Sequence, residues 1–255
     1  MEVEFRESEL VRSVGPSLRR LAHSPDEKVD INLLAPLSTA LPLSIAGQAT
    51  DHMEGTGGLY LAEGGGSKNV LLLTARHVLF EPSSSDSKVN REFSRPHPSA
   101  PRRKVALLGT KAFKELVEEF QAKIKHYNEA LRLGKERVER AENYMKSKDQ
   151  ATAESANERL ENFQLQLQQI ITESETLQGY KEFHRELMTQ WSVPRLRTIG
   201  HIEYAPPIVF GGVESFTLDY ALVTLDIDKF KNSFQGNVLH LGRRPHSYCI
   251  GDYLV

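Results

Sequence analysis

A histidine and an aspartate are the residues best placed to do chemistry. His77 follows an apolar run, in Leu72-Leu73-Thr74-Ala75-Arg76-His77. Asp219 opens another, in Asp219-Tyr220-Ala221-Leu222-Val223-Thr224-Leu225. A histidine where a strand runs out is held firmly at one end and reaches solvent at the other. That suits a general base, which must be rigid and still meet a substrate. An aspartate at the mouth of an apolar strand can sit partly buried and accept the imidazole N–H. It then fixes the tautomer and stabilises the imidazolium. Taken singly, each has a plainer explanation: a surface histidine and a turn aspartate.

Other stretches carry less. Gly64-Gly65-Gly66-Ser67-Lys68 lacks the Gly-x4-Gly-Lys-Ser/Thr spacing of a phosphate loop and reads as a hairpin turn. Asp226-Ile227-Asp228 reads as a strand-ending turn before it reads as a cation site. Arg102-Arg103-Lys104 reads as a solvated loop, and Arg19-Arg20 as a solvated helix surface. No Cys/His cluster has zinc spacing, and no cofactor is implied.

The elements that would position His77 and Asp219 are short strands. Leu59–Ala62 and Asn69–Leu73 flank the glycine turn and predict a β-hairpin. Residues 81–104 are rich in Ser, Pro and Arg and predict a mobile loop. Val105–Gly109, Arg197–Tyr204, Phe216–Leu225 and, more weakly, Asn237–Leu241 predict further strands. Near the N-terminus, Leu10, Val14, Leu18 and Leu21 suggest a short or kinked helix, and Leu33–Ile45, with Pro36 and Pro42, an extended stretch.

Residues 111–190 differ in kind. Phe113, Val117, Phe120, Ile124, Tyr127, Leu131, Gly134, Val138, Ala141 and Met145 step by four and three without a break. That is a heptad seam. A second seam is read at Ala156, Leu160, Phe163, Leu167, Ile170, Ser174 and Leu177, drifting to Phe183, Leu187 and Trp191. The pattern predicts two long antiparallel helices turning near Lys146–Ala151. They would serve as a spacer arm, as a protein-binding surface or in self-association.

The two chemical stretches together resemble the trypsin-like serine peptidases of the chymotrypsin fold. Thr74-Ala75-Arg76-His77 resembles that family's Thr-Ala-Ala-His segment, Asp219–Leu225 its Asp-Ile-Ala-Leu-x-x-Leu segment, and Gly55-Thr56-Gly57 the Gly-Ser/Thr-Gly before its first hairpin. The resemblance implies an antiparallel β-barrel, with His77 as general base and Asp219 as its orienting acid. It covers roughly residues 53–80 and 196–241. With the helical segment added, the chain resembles most nearly a group of fungal proteins with a trypsin-like domain and a coiled-coil insertion.

The nucleophile departs from the family pattern. After Asp219 the only serines are Ser233 and Ser247, neither in a Gly-Asp-Ser-Gly context, and Gly251-Asp252 is followed by Tyr253. Cys249 is a conceivable thiol nucleophile but comes too early for a second barrel. The resemblance therefore implies a chain that stops after the first barrel, before the catalytic serine, and is inactive alone. The alternative is a non-enzymatic interaction protein that displays a helical hairpin on a degenerate barrel.

Composition sets outer bounds. Thirty-two basic residues against thirty-four acidic argue against nucleic-acid binding through bulk positive charge. The longest apolar runs fall far short of the ~20 residues of a membrane span. A single cysteine and an acidic N-terminus without an apolar core fit a reducing, cytoplasmic setting. The expected architecture is α+β: a partial trypsin-like antiparallel barrel with an inserted antiparallel helical hairpin. Its parts are a leader (1–50), the first part of the barrel (51–110), the hairpin (111–190), and the second part of the barrel with a tail (191–255).

Overall fold

The computed structural model describes residues 15–20, 28–81, 90–95, 97, 100–146, 153–211 and 216–241. In chain order the elements are α1 (Ile31–Leu34), β1 (Leu43–Gly47), β2 (Glu54–Ala62), β3 (Val70–Thr74), α2 (Arg76–Leu79), β4 (Phe93–Ser94) and β5 (Lys104–Leu107). They continue with α3 (Thr110–Lys146), α4 (Ala153–Glu186), β6 (Thr198–Ala205), β7 (Ala221–Leu225) and α5 (Ile227–Phe230). The chain divides into two compact units. One holds Met1–Ala22, Leu34–Phe113 and Gln190–Val255; the other holds His23–Leu33 and Lys114–Thr189.

The first unit is a closed barrel of six antiparallel strands. The order runs β6-β5-β1-β2-β3-β7, and β7 pairs back onto β6. The two-residue β4 extends the β5 side of β6. Closure leaves those six strands no free edge for another chain to pair with. Much of the core is aliphatic: Leu41, Leu43, Ile45, Leu72, Leu107, Ile199 and Ile202 are all buried, alongside Trp191 and Phe230. This agrees with the α+β class and is consistent with a trypsin-like barrel.

Local chemistry accounts for the β2–β3 turn. Gly64, Gly65 and Gly66 have φ of 76°, 59° and 84°, a conformation that costs glycine least. Glu63 closes the turn by accepting from Ser67 Oγ and from Asn69 Nδ2. The glycine run is therefore hairpin chemistry, as read.

Several readings of the barrel unit need correction. β1 lies inside the segment set apart as a leader, so the barrel begins before residue 51. Its Leu43, Ile45 and Ala46 are buried between β2 and β5, a non-local pairing that the prolines around it hide. Of Phe216–Leu225 only Ala221–Leu225 joins the sheet, and Phe216 is 70% exposed. Arg19 lies on no helix: its N–H donates to Leu37 O at 2.9 Å, in a parallel bridge to Ser38. Leu10, Val14 and Leu21 lie outside the described residues.

The second unit is an antiparallel helical pair. Phe120 stacks on Phe183 at 4.9 Å, Tyr127 on Tyr180 at 5.4 Å, and Gly134 faces Ile170. The α3 seam runs as read from its heptads. Gly134 has a reason as well: a Cβ there would lie 3.1 Å from Ile170 Cγ1. The expected turn at Lys146–Ala151 and the side chains of Met145 and Ala156 lie outside what is described.

The α4 seam holds at Phe163, Ile170 and Leu177 and needs correction at Leu160, Leu167 and Ser174, which are exposed. The less exposed stripe is Phe163, Gln166, Ile170, Glu173, Leu177 and Tyr180, with Ile170 against Gly134 and Tyr180 against Tyr127 of α3, while Leu160 and Leu167 remain 43% and 38% exposed. Polar Gln166 and Glu173 disguise this stripe in the sequence. They line a groove of about 440 Å³ together with His126, Glu129 and Arg137. Among the described residues, no helix is long and apolar enough to cross a membrane.

Candidate functional site

Sheet register brings the candidate residues together. β3 pairs antiparallel with β7, with Thr74 opposite Ala221. Continuing two or three residues off the end of β3, and as many before β7, places His77 and Asp219 at one rim of the barrel. His77 sits on the single helical turn of α2 rather than on the strand itself.

The turn is anchored from below. Val78, the next residue, is buried at 4% exposure. It packs over Gly55, where a Cβ would lie 2.2 Å from Val78 Cγ2. Gly57 gives way in the same manner to Leu72, at 2.5 Å. Thr74 Oγ1 donates to Thr56 O at 2.8 Å and ties the two segments together. The Gly55-Thr56-Gly57 motif thus has a steric meaning: the missing side chain at Gly55 is the space in which the His77 turn is seated, and the one at Gly57 is filled by Leu72 of β3.

His77 Nδ1 lies 2.6 Å from Asp219 Oδ2, and the His77 backbone N–H donates to Asp219 Oδ1 at 3.2 Å. One carboxylate therefore holds both the main chain and the ring of His77. The His77 side chain is 57% exposed and that of Asp219 23%. With Nδ1 engaged, Nε2 is the ring atom left for proton exchange.

Arg76 supplies a feature that motif reading passed over. It occupies the place of the second alanine in Thr-Ala-Ala-His, yet it is 2% exposed. Its guanidinium donates to Ala205 O at 2.9 Å and Arg91 O at 2.8 Å, and lies 4.3 Å over the Phe80 ring. Arg103 stacks on Phe80 and Phe93 at 5.1 and 4.9 Å. Burial and the nearby Arg103 charge pull the Arg76 pKa down, and the Asp219 carboxylate opposes that. The one signal available in the sequence was the unusual arginine directly before the histidine.

The remaining candidates do not join this cluster. Ser233 is buried at 6%; its Oγ donates to Phe230 O at 3.3 Å and its carbonyl accepts from Thr39 Oγ1 at 2.7 Å. Asp226 caps α5 by accepting from Asp228 N–H at 3.4 Å. Ser247, Cys249 and Gly251-Asp252 lie outside the described residues. Among the described residues, no group of three His, Cys, Asp or Glu is arranged to hold a metal ion.

Comparison with protein-family models, with curated proteins and with solved structures gives no match for this chain.

Proposed function

We propose that this chain carries the base and orienting acid of a trypsin-like serine peptidase site. His77 is the general base and Asp219 its carboxylate partner. As this chain alone it does not cleave peptides, because no serine in a Gly-Asp-Ser-Gly context follows Asp219 in the sequence. The observation that carries the reading is the double grip of Asp219 on His77, 2.6 Å to the ring and 3.2 Å to the main chain. That grip fixes the Nδ1–H tautomer and turns Nε2 outward. There it would take the proton of an attacking hydroxyl and return it to the leaving amine.

Two further observations support the reading. The helical pair is spliced between β5 and β6, as the resemblance to fungal trypsin-like proteins with a coiled-coil insertion implies. Phe216, Leu239 and Leu241 are 70%, 62% and 74% exposed, apolar surface of the kind that a second barrel would cover.

The test is hydrolysis of p-nitrophenyl acetate by the full chain, paired with a serine-directed fluorophosphonate. Slow turnover without a burst, lost in His77→Ala, is expected, with no serine labelled. An unchanged rate in His77→Ala removes the base. Stoichiometric labelling of any serine removes the claim of inactivity.

A further inference from the structure

The second helix carries more apolar surface than its partner helix covers. Its inner stripe, Phe163, Gln166, Ile170, Glu173, Leu177 and Tyr180, is the less exposed one, and Ile170 and Tyr180 of it meet Gly134 and Tyr127 of α3. Displaced by one residue lies another stripe: Leu160, Gln164, Leu167, Ile171, Ser174 and Gln178. It too steps by four and three, and every member is exposed. Leu160, Leu167 and Ile171 are 43%, 38% and 51% exposed. One residue is about 100° around a helix, so the stripes face directions roughly a right angle apart. A helix with two such stripes has the pattern of a member of a bundle, touching two neighbours instead of one.

The chemistry of the outer stripe selects its occupant. None of its six members is charged, and no Asp, Glu, Lys or Arg occurs anywhere from Asn162 to Thr172. A solvated helix face is normally laced with charge, as α3 is where Arg132 bridges Glu129 and Glu136. An uncharged stripe is also one that can meet its own image without repulsion. Four-three spacing reads the same in both directions, so a copy running antiparallel matches position for position. Leu160 then meets the partner copy's Ile171, and Gln164 its Leu167. Apolar meets apolar at the outer pairs, and the Gln164 stems cover the Leu167 side chains near the centre.

We propose that α4 pairs through Leu160, Gln164, Leu167 and Ile171 with α4 of a second copy of this chain. The contact is isologous and antiparallel, and it joins two helical pairs into a four-helix bundle. The proposal is independent of the peptidase reading, since it uses no residue of the barrel.

The test uses the full chain. Light scattering across a concentration series should show a mass rising toward twice 28.8 kDa. Leu167→Glu with Ile171→Glu should return the protein to the monomer mass with unchanged helical dichroism, because both side chains face solvent in the single chain. Leu165→Glu, 68% exposed but off the stripe, should leave the association intact. Direction is read by disulfide trapping in a Cys249→Ser background: Leu160→Cys and Ile171→Cys chains should cross-link when mixed, and neither alone. A monomer at all concentrations overturns the proposal, as does a dimer that survives the double glutamate variant, which places the contact elsewhere. Cross-linking by either single cysteine variant alone overturns the antiparallel arrangement.

Discussion

Val78 fills the space where residue 55 would carry a side chain: a Cβ on Gly55 would lie 2.2 Å from Val78 Cγ2. Because His77 precedes Val78 on the same helical turn, the seating of one fixes the other. Gly55→Ala is expected to push the turn outward and to cost ~1–3 kcal/mol by overpacking. A chemical denaturation curve measures the loss. The far-downfield proton resonance of a short His–Asp hydrogen bond should weaken with it. Wild-type stability in Gly55→Ala would show that the turn is not seated this way.

Asp219→Asn keeps the shape of the side chain but offers an amide where the imidazole needs a carboxylate. The ring can then adopt the other tautomer. Ester hydrolysis that depends on His77 should fall by about a hundredfold, the low end of what a positioned base contributes. A full retention of that rate would mean that Asp219 serves only the His77 main chain.

His201 makes stability depend on pH. It is 9% exposed, and burial, reinforced by Arg102 and Arg95, holds its pKa below the ordinary 6.5, with Glu203 at 3.4 Å opposing. The unfolded chain therefore binds the proton more readily than the folded one. The contribution is complete above about pH 6.5 and is lost as pH falls from there through the lowered value. His201→Gln should flatten the stability profile on the acid side of about pH 6.5. Parallel profiles for variant and wild type would exclude His201 as the cause.

Two residues of the helical pair should behave oppositely on truncation. Phe120 is fully buried against Tyr180 and Phe183, so Phe120→Ala should cost ~3–5 kcal/mol. Leu167 is 38% exposed in the single chain, so Leu167→Ala should cost under ~1 kcal/mol at concentrations where the protein is monomeric. Thermal melts monitored at the helical band compare the two, and equal losses would contradict the rotated α4 seam.

Tyr60 is tied into the barrel at several points. Its OH donates to Thr39 O at 2.9 Å, and its main-chain N–H and C=O are both bonded by the Asn237 side chain, at 2.7 and 3.0 Å. Burial raises its pKa well above the ordinary value. Asn237→Ala should cost ~1–2 kcal/mol, since it removes two hydrogen bonds from a strand at its register shift. A denaturation midpoint matching wild type would show that water replaces the amide without loss.

What could be read from the sequence followed from how local the cause was. The β2–β3 hairpin was legible because three glycines and a Glu63 cap specify it within a few residues. The α3 seam was legible because nearly every position in it is apolar. β1 was not, because its burial depends on β2 and β5 arriving from later in the chain. In α4 two overlapping heptad stripes share one helix, and only α3 decides which of them is inward. The pairing of His77 with Asp219 was suggested by motif order, but its rigidity was not. That depends on Val78 above Gly55 and on the Arg76 guanidinium, whose partners are carbonyls that no spacing rule announces.

The splice between β5 and β6 bears on the order in which the molecule folds. These strands pair directly, Val105 opposite Gly200, yet about ninety residues separate them along the chain. Closing a loop of that length costs about 2 kcal/mol more than closing one of ten. The helical pair offsets this cost if it forms first, since its contacts are local and helices zip on the microsecond scale. Once Phe120 has met Phe183, the effective separation of β5 from β6 shrinks from about ninety residues to roughly a dozen on either side. The arm then acts as an early nucleus that turns a slow, long-range strand pairing into a short one.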